Sequence, residues 1–332
     1  MKSYIGLLVV LIFVFNACSE IKKENVQIQN KSENVDKQSK VNTIPVGKGP
    51  DALFLTPDEK YLYVANVEDN FISVINTQTE KVENKIEGIK YPWGFTRLGK
   101  TNLVAVSGYE KQIVVIDFSI HKIVKQKKFK ENLGGITSTK NGKIIYVIET
   151  GKNRALKLNA GSLKILDSYK TGKGPDGIGI SKDDSKIFTT NTKDGTISII
   201  NVKTKKTKIL NFGGGKPELV HYNKDHSLLF ISNFKLNKIH IISTETDKII
   251  HEITDLQSPE EAVLSQNEKL LYVVNFGAKK VFVYDAVTYK KLIKEYSVGN
   301  KPIGVMPALN DTKLFVSNYG DNSVSVIHLT AK

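Results

Sequence analysis

The chain has 332 residues, 48 Lys and Arg against 34 Asp and Glu, a net charge of +14 and one cysteine. A single thiol excludes an internal disulfide and any multi-cysteine metal site. The basic balance invites a nucleic-acid reading, which the dispersal of the lysines along the chain sets aside.

Met1-Lys2-Ser3 precedes an apolar run from Tyr4 to Phe15 and then Asn16-Ala17-Cys18. A basic start, a short apolar stretch and a small residue before the cut predict a secretion signal over residues 1–17. The run is too short for a membrane-spanning helix, which takes roughly 20 apolar residues. Phe15-Asn16-Ala17-Cys18 resembles a bacterial lipobox, with Phe15 and Asn16 standing where Leu and Ala or Ser are usual. The resemblance implies a diacylglycerol on Cys18 and a bacterial lipoprotein. Ser19 then follows the lipidated residue where an Asp commonly retains lipoproteins at the inner membrane, which favours the outer membrane, including its outer surface. Residues 18–40 are rich in Asn, Gln, Lys and Ser and carry no aromatic residue. Such a stretch cannot bury enough surface to fold alone, so it reads as a flexible tether.

From Ile44 to Leu329 a unit of about 42 residues recurs seven times. Its anchor is an aromatic-aliphatic-small-Asn run: Tyr63-Val64-Ala65-Asn66, Phe188-Thr189-Thr190-Asn191, Phe230-Ile231-Ser232-Asn233, Tyr272-Val273-Val274-Asn275 and Phe315-Val316-Ser317-Asn318. Two divergent copies end at Ser107 and Glu149. Upstream of the anchors stand Pro50, Pro92, Pro175, Pro217, Pro259 and Pro302, with Gly134 in the third copy; ten residues downstream of most anchors an Asn, Asp or Ser recurs. A period of this size indicates a propeller or array with one supersecondary unit per repeat.

Within the first copy, Gly47-Lys48-Gly49-Pro50-Asp51 is turn chemistry. The segment Ala52–Thr56 reads as a first strand, Tyr61–Ala65 as one buried on both faces, Phe71–Ile75 as a third, and the Lys-bearing Lys81–Ile86 as a fourth. Four short antiparallel strands make one blade. Lys122, Lys125, Lys127 and Lys128, like Lys203, Lys205, Lys206 and Lys208, fall on fourth strands, where charge opposes pairing with other chains. The last copy lacks a fourth strand, and Val41–Ile44 lies in that phase. The expectation is therefore an all-β, seven-bladed β-propeller of four-stranded blades over 41–329, closed by an N-terminal strand and monomeric. The Tyr-Val-x-Asn anchor, the preceding Gly-x-x-Pro turn and the period are similar to those of the YVTN-type β-propeller repeat family. That resemblance covers 41–329 and implies the fold. For function it points several ways, to surface-layer proteins, lactonase-like enzymes and propeller domains of oxidoreductases.

The loops before each first strand and after each anchor share one mouth of the central channel, so site residues are sought there. The former carry Asp51, Trp93, Asp176, Glu218 and Glu260; the latter carry Tyr109, Lys152, Arg154, Phe234, Lys235, Phe276, Lys279 and Tyr319. Aromatics with Lys and Arg on one rigid face suit a protein or glycan partner. The anchor Asn residues repeat and so read as structural. His121, His221, His226, His240, His251 and His328 include no close pair except His221 and His226. No Gly-x-Ser-x-Gly, His-Glu-x-x-His or haem-attachment motif occurs, and Gly213-Gly214-Gly215-Lys216 lacks phosphate-loop spacing. These readings predict no catalytic set, metal or cofactor, and favour a binding or adhesion head. The alternative is a lactonase-like hydrolase or lyase using the carboxylates at the channel mouth.

Overall fold

The computed structural model describes residues 40–329, which form seven four-stranded antiparallel sheets. The expected signal, Cys18 and nearly all of the tether lie outside the described residues. The first blade runs Pro50–Leu55, Tyr61–Asn66, Phe71–Asn76 and Lys81–Glu87 from the centre outward. The innermost strands of the other six are Pro92–Arg97, Leu133–Ser138, Pro175–Ile180, Pro217–Tyr222, Pro259–Leu264 and Pro302–Ala308. Each lies against the next, and Pro302–Ala308 lies against Pro50–Leu55, so the ring is closed.

Closure follows the expected route. Val41–Pro45 supplies the outer strand of the seventh sheet, pairing with Ser323–His328 so that Val41 faces Ile327 and Pro45 faces Ser323. Glu80 of the first blade fastens this junction. Its carboxylate accepts from Asn42 Nδ2 at 2.6 Å and lies 2.7 Å from Lys313 Nζ and 2.9 Å from His328 Nε2.

The second strand of each blade is buried on both faces because neighbouring blades sandwich it. Leu62, Tyr63, Val64 and Ala65 are all fully buried. The anchor aromatics fill the layers between blades: Tyr63 packs in one cluster with Val104 and Val106, and Phe315 in another with Leu62 and Val64. Truncating such a ring costs about 3–5 kcal/mol, which accounts for its recurrence.

The anchor Asn clips two segments together. Asn191 Nδ2 donates to Thr196 Oγ1 and Ser198 Oγ, each at 2.9 Å. Asn233 Oδ1 accepts from Lys216 N–H at 2.8 Å, and Asn318 Oδ1 from Gly299 N–H at 3.0 Å. The residue ten positions on closes an Asx turn, as when Asn201 Oδ1 accepts from Lys203 N–H at 3.1 Å and Thr204 N–H at 2.8 Å. Fourth strands such as Lys81–Glu87 and Lys122–Lys128 are largely exposed, so their lysines are solvated edge residues. Among the described residues the only helical segments are two single-turn 3₁₀ helices, Thr150–Lys152 and Tyr319–Asp321. Among the described residues no helix is long and apolar enough to cross a membrane.

Candidate functional site

The residues after each leading Pro do not sit in loops, contrary to expectation. Pro50 already faces Asn66 in the ladder, and the register shifts between Pro50 and Leu53. The same irregularity follows Pro92, Leu133, Pro175, Pro217, Pro259 and Pro302. A bulge re-aims the side chain at its position. Repeated in seven blades, it turns one residue per innermost strand toward the channel.

Blade-to-blade staples fix these strands. Thr190 Oγ1 donates to the carbonyl of Glu218 at 2.6 Å and accepts from Gly177 N–H at 2.8 Å. Ser317 Oγ does the same for the Asp51 carbonyl at 2.7 Å and Gly304 N–H at 2.8 Å. Glycine is required at Gly177 because a Cβ there would stand 2.4 Å from the Glu218 carbonyl oxygen. A small hydroxyl and a glycine on one blade thus set the backbone that carries the acid on the next.

Four acids converge in this way: Asp51, Asp176, Glu218 and Glu260. Burial pushes Asp51 up to about 7, with the charges of Glu261 and Glu218 adding to the effect. Burial, then Glu218 and Asp51, pushes Glu260 up to about 8. Burial, then the charge of Glu218, raises Asp176 well above the usual carboxylate range. Lys216 forms an ion pair with Glu218 and lies 5.5 Å from the centre of the Phe234 ring. Burial opposes its charge, yet the Glu218 hydrogen bond holds its ammonium above the usual range. Phe234 meets Phe276 edge to face at 5.6 Å.

The opposite wall is aromatic. Trp93 stacks on Tyr91 at 5.9 Å, and Tyr109 lies 5.8 Å from Trp93 and 5.6 Å from Tyr91. Burial and then the charges of Asp51 and Glu68 raise the Tyr91 hydroxyl, and the innermost strands that carry Asp51 and Trp93 lie against each other. The Tyr319 hydroxyl donates to Glu68. Lys235 and Lys279 are exposed on the loops that carry Phe234 and Phe276.

Other expected residues are engaged elsewhere. Arg154 forms an ion pair with Glu149, which occupies the third blade's anchor position and has a side chain only 4% exposed; it serves its own hairpin. Lys152 pairs with Glu131 at 3.3 Å. His221 does have a close acidic partner, though not His226: its Nε2 lies 2.6 Å from Glu261 Oε1 on the next blade. The other Glu261 oxygen accepts from Val305 N–H of the blade after that. Sequence reasoning missed Glu261, Lys216 and Tyr91. The signal for Glu261 was a carboxylate where other copies carry Ala52, Gly94, Gly177 or Gly304.

Among the described residues no three His, Cys, Asp or Glu side chains are grouped so as to hold a metal ion. Two cavities, of about 520 and 420 Å³, lie at the far ends of the blades, between blades 7 and 1 and between blades 2 and 3. Neither includes a residue of the acidic mouth, where charge and aromatic surface coincide.

A family model described as lactonase, 7-bladed beta-propeller, matches residues 130–284. That span holds Asp176, Glu218 and Glu260 and omits Asp51 and Trp93. No curated protein matches the sequence significantly. Among solved structures, Kuenenia stuttgartiensis hydrazine synthase is similar with a TM-score of 0.76 at 16% identity, over 90% of this chain and 99% of that one. The beta-propeller domain of Myceliophteria thermophila Cps50 (Swd1) is similar with a TM-score of 0.74 at 11% identity, over 88% of this chain and 100% of that one. At such identities the likeness shows the propeller fold alone.

Proposed function

We propose that this seven-bladed propeller is a binding head whose channel mouth takes a protein or glycan partner, held at a membrane by a lipid on Cys18. One observation supports the binding role above the others. Four carboxylates and two aromatic clusters, from five different blades, meet on a single rigid face. Innermost strands and the loops beside them, on a stiff scaffold, place such groups with little ordering cost at binding. Trp93 and Tyr109 are half-exposed or exposed aromatics of the kind that act as binding hot spots. The N-terminal sequence supports the anchor, and Ser19 favours the outer membrane. The test is binding of the full chain to arrays of glycans and envelope proteins. Trp93→Ala should weaken a specific interaction by at least about tenfold while the melting temperature stays unchanged.

A second reading rests on the Asp176–Glu218 pair. Burial and a neighbouring carboxylate favour the protonated form of Asp176, as a general acid requires, and the lactonase family model spans both residues. Turnover of a lactone panel that vanishes in Glu218→Gln would favour this enzyme over the binding head.

A further inference from the structure

The sixth blade carries an apolar corner that its own packing does not use. Its third strand, Lys280–Asp285, and its outer strand, Lys291–Ser297, are joined by a turn over residues 286–290. Ile293 is fully exposed and Val287 is 81% exposed, whereas the next large apolar side chain among the described residues, Ile120, reaches only 54%. Single scattered apolar residues are ordinary on a surface. Two at this exposure, six positions apart on one hairpin, are not.

The local structure holds both outward. The Asp285 carboxylate accepts from Val287 N–H at 3.1 Å and Thr288 N–H at 2.7 Å, an Asx turn that carries Val287. In the outer strand, Tyr284 faces Lys291 and Phe282 faces Glu295, so Leu292, Ile293 and Lys294 stand opposite Val283 alone. That bulge is wider than its counterparts. Those of the first, second, third and fifth blades carry one extra residue each. Leu292 packs against the core, and Ile293 projects into solvent.

Charge completes the corner. Residues 286–294 include Lys290, Lys291 and Lys294 and no acid, in a chain of net charge +14. Glu295, which follows, is shared between Lys280 and Lys291. Lysines along an interrupted edge oppose addition of a strand from another protein. A lipid surface needs no backbone ladder, and it takes aliphatic side chains at its headgroup boundary while its anionic headgroups attract lysines. The described chain also enters the ring on this rim, at the outermost strand of the adjacent seventh blade, Val41–Pro45.

We infer that residues 287–294 of the sixth blade form a contact site for an anionic lipid surface. Val287 and Ile293 enter the headgroup boundary, and the neighbouring lysines meet its phosphates. The inference goes beyond the binding mouth and does not depend on a lipid at Cys18.

Cys18 is the only cysteine in the chain, so the full chain with Cys18→Ala accepts a single polarity-sensitive label at a chosen position. At Ile293→Cys the label should shift to the blue on phosphatidylcholine vesicles containing phosphatidylglycerol, at about tenfold less lipid than on phosphatidylcholine alone. At Ile209→Cys, on the outer strand of the fourth blade, it should not shift. In the Ile293→Cys chain, Lys290→Gln with Lys294→Gln should raise the anionic lipid needed by about tenfold, and Val287→Ser by about fivefold, with the melting temperature unchanged. Salt at about 0.5 M should act in the same direction as the lysine changes. No shift at residue 293, an equal shift at residue 209, the same lipid dependence on neutral vesicles, or indifference to the lysine changes overturns the inference.

Discussion

Asp51→Asn should make the unliganded protein more stable at neutral and mildly alkaline pH. The wild-type carboxyl is half-buried, and burial together with the charges of Glu261 and Glu218 displaces it from 3.8 to about 7. A displacement of about three units, at 1.36 kcal/mol each, sets a ceiling of about 4 kcal/mol on the penalty for ionising it in the fold. Asp51 is only half-buried in an open channel, so solvent screening reduces this to about 1–2 kcal/mol. The folded state holds the proton more tightly than the unfolded chain. The protonated group therefore contributes its full stability below about pH 4, and that contribution is lost as the pH rises through about 7. An isosteric amide removes the loss. Thermal unfolding at about pH 8 should show Asp51→Asn melting about 2–6 °C higher than wild type. The difference should shrink toward pH 4, where the wild-type carboxyl is protonated in both states. A lower melting temperature at pH 8, or a gap independent of pH, would refute the reasoning about the acidic mouth.

Other expectations concern the scaffold. Removing residues 40–47 deletes the strand that closes the ring and strips Asn42 from Glu80, so the melting temperature should fall sharply, whereas removing 19–39 should leave it nearly unchanged; equal melting of the two would contradict the closure. Gly177→Ala should destabilise by about 1–3 kcal/mol, since its methyl meets the Glu218 carbonyl oxygen at 2.4 Å; chemical denaturation checks this. Arg154→Ala should destabilise by more than about 1 kcal/mol, because it strands the buried Glu149 carboxylate, so it is a poor reporter of partner binding. Cys18→Ala should move the protein from the detergent phase to the aqueous phase on partitioning, and mass spectrometry of the wild-type N-terminus should show a lipid-modified Cys18.

The fold was open to reading because its signal is periodic. Each blade needs the same aromatic in the layer between blades and the same Asn clip, so Tyr63, Phe188 and Phe315 recur in phase. The acids were visible as residues that break the pattern after each leading Pro. Their orientation was not. It depends on a bulge that no residue type announces, and it moved Asp51 and Glu218 from an expected loop onto the channel wall. Pairings between blades were hidden for a related reason. His221 and Glu261 are 40 residues apart, and only the ring places their strands side by side. Arg154 and Glu149 were closer to hand, since a Glu in an anchor position reserved for Asn calls for a cation across the hairpin. The left-handed backbone at Tyr91 was signalled by the same position in other copies, where Gly49 and Gly174 precede their Pro at φ +62° and Ser258 and Lys301 adopt +50° and +49°.

The central claim is that the channel mouth is a binding surface, and one measurement addresses it most directly. Full-length wild type and a Trp93→Ala, Tyr109→Ala double variant are compared for binding to the same glycan and envelope-protein arrays, alongside lactone turnover and thermal melting. The account predicts a saturable partner of the wild type that the double variant loses by about tenfold or more, with unchanged melting and no turnover. A partner held equally well by both proteins, or lactone hydrolysis that disappears in Glu218→Gln, would contradict it.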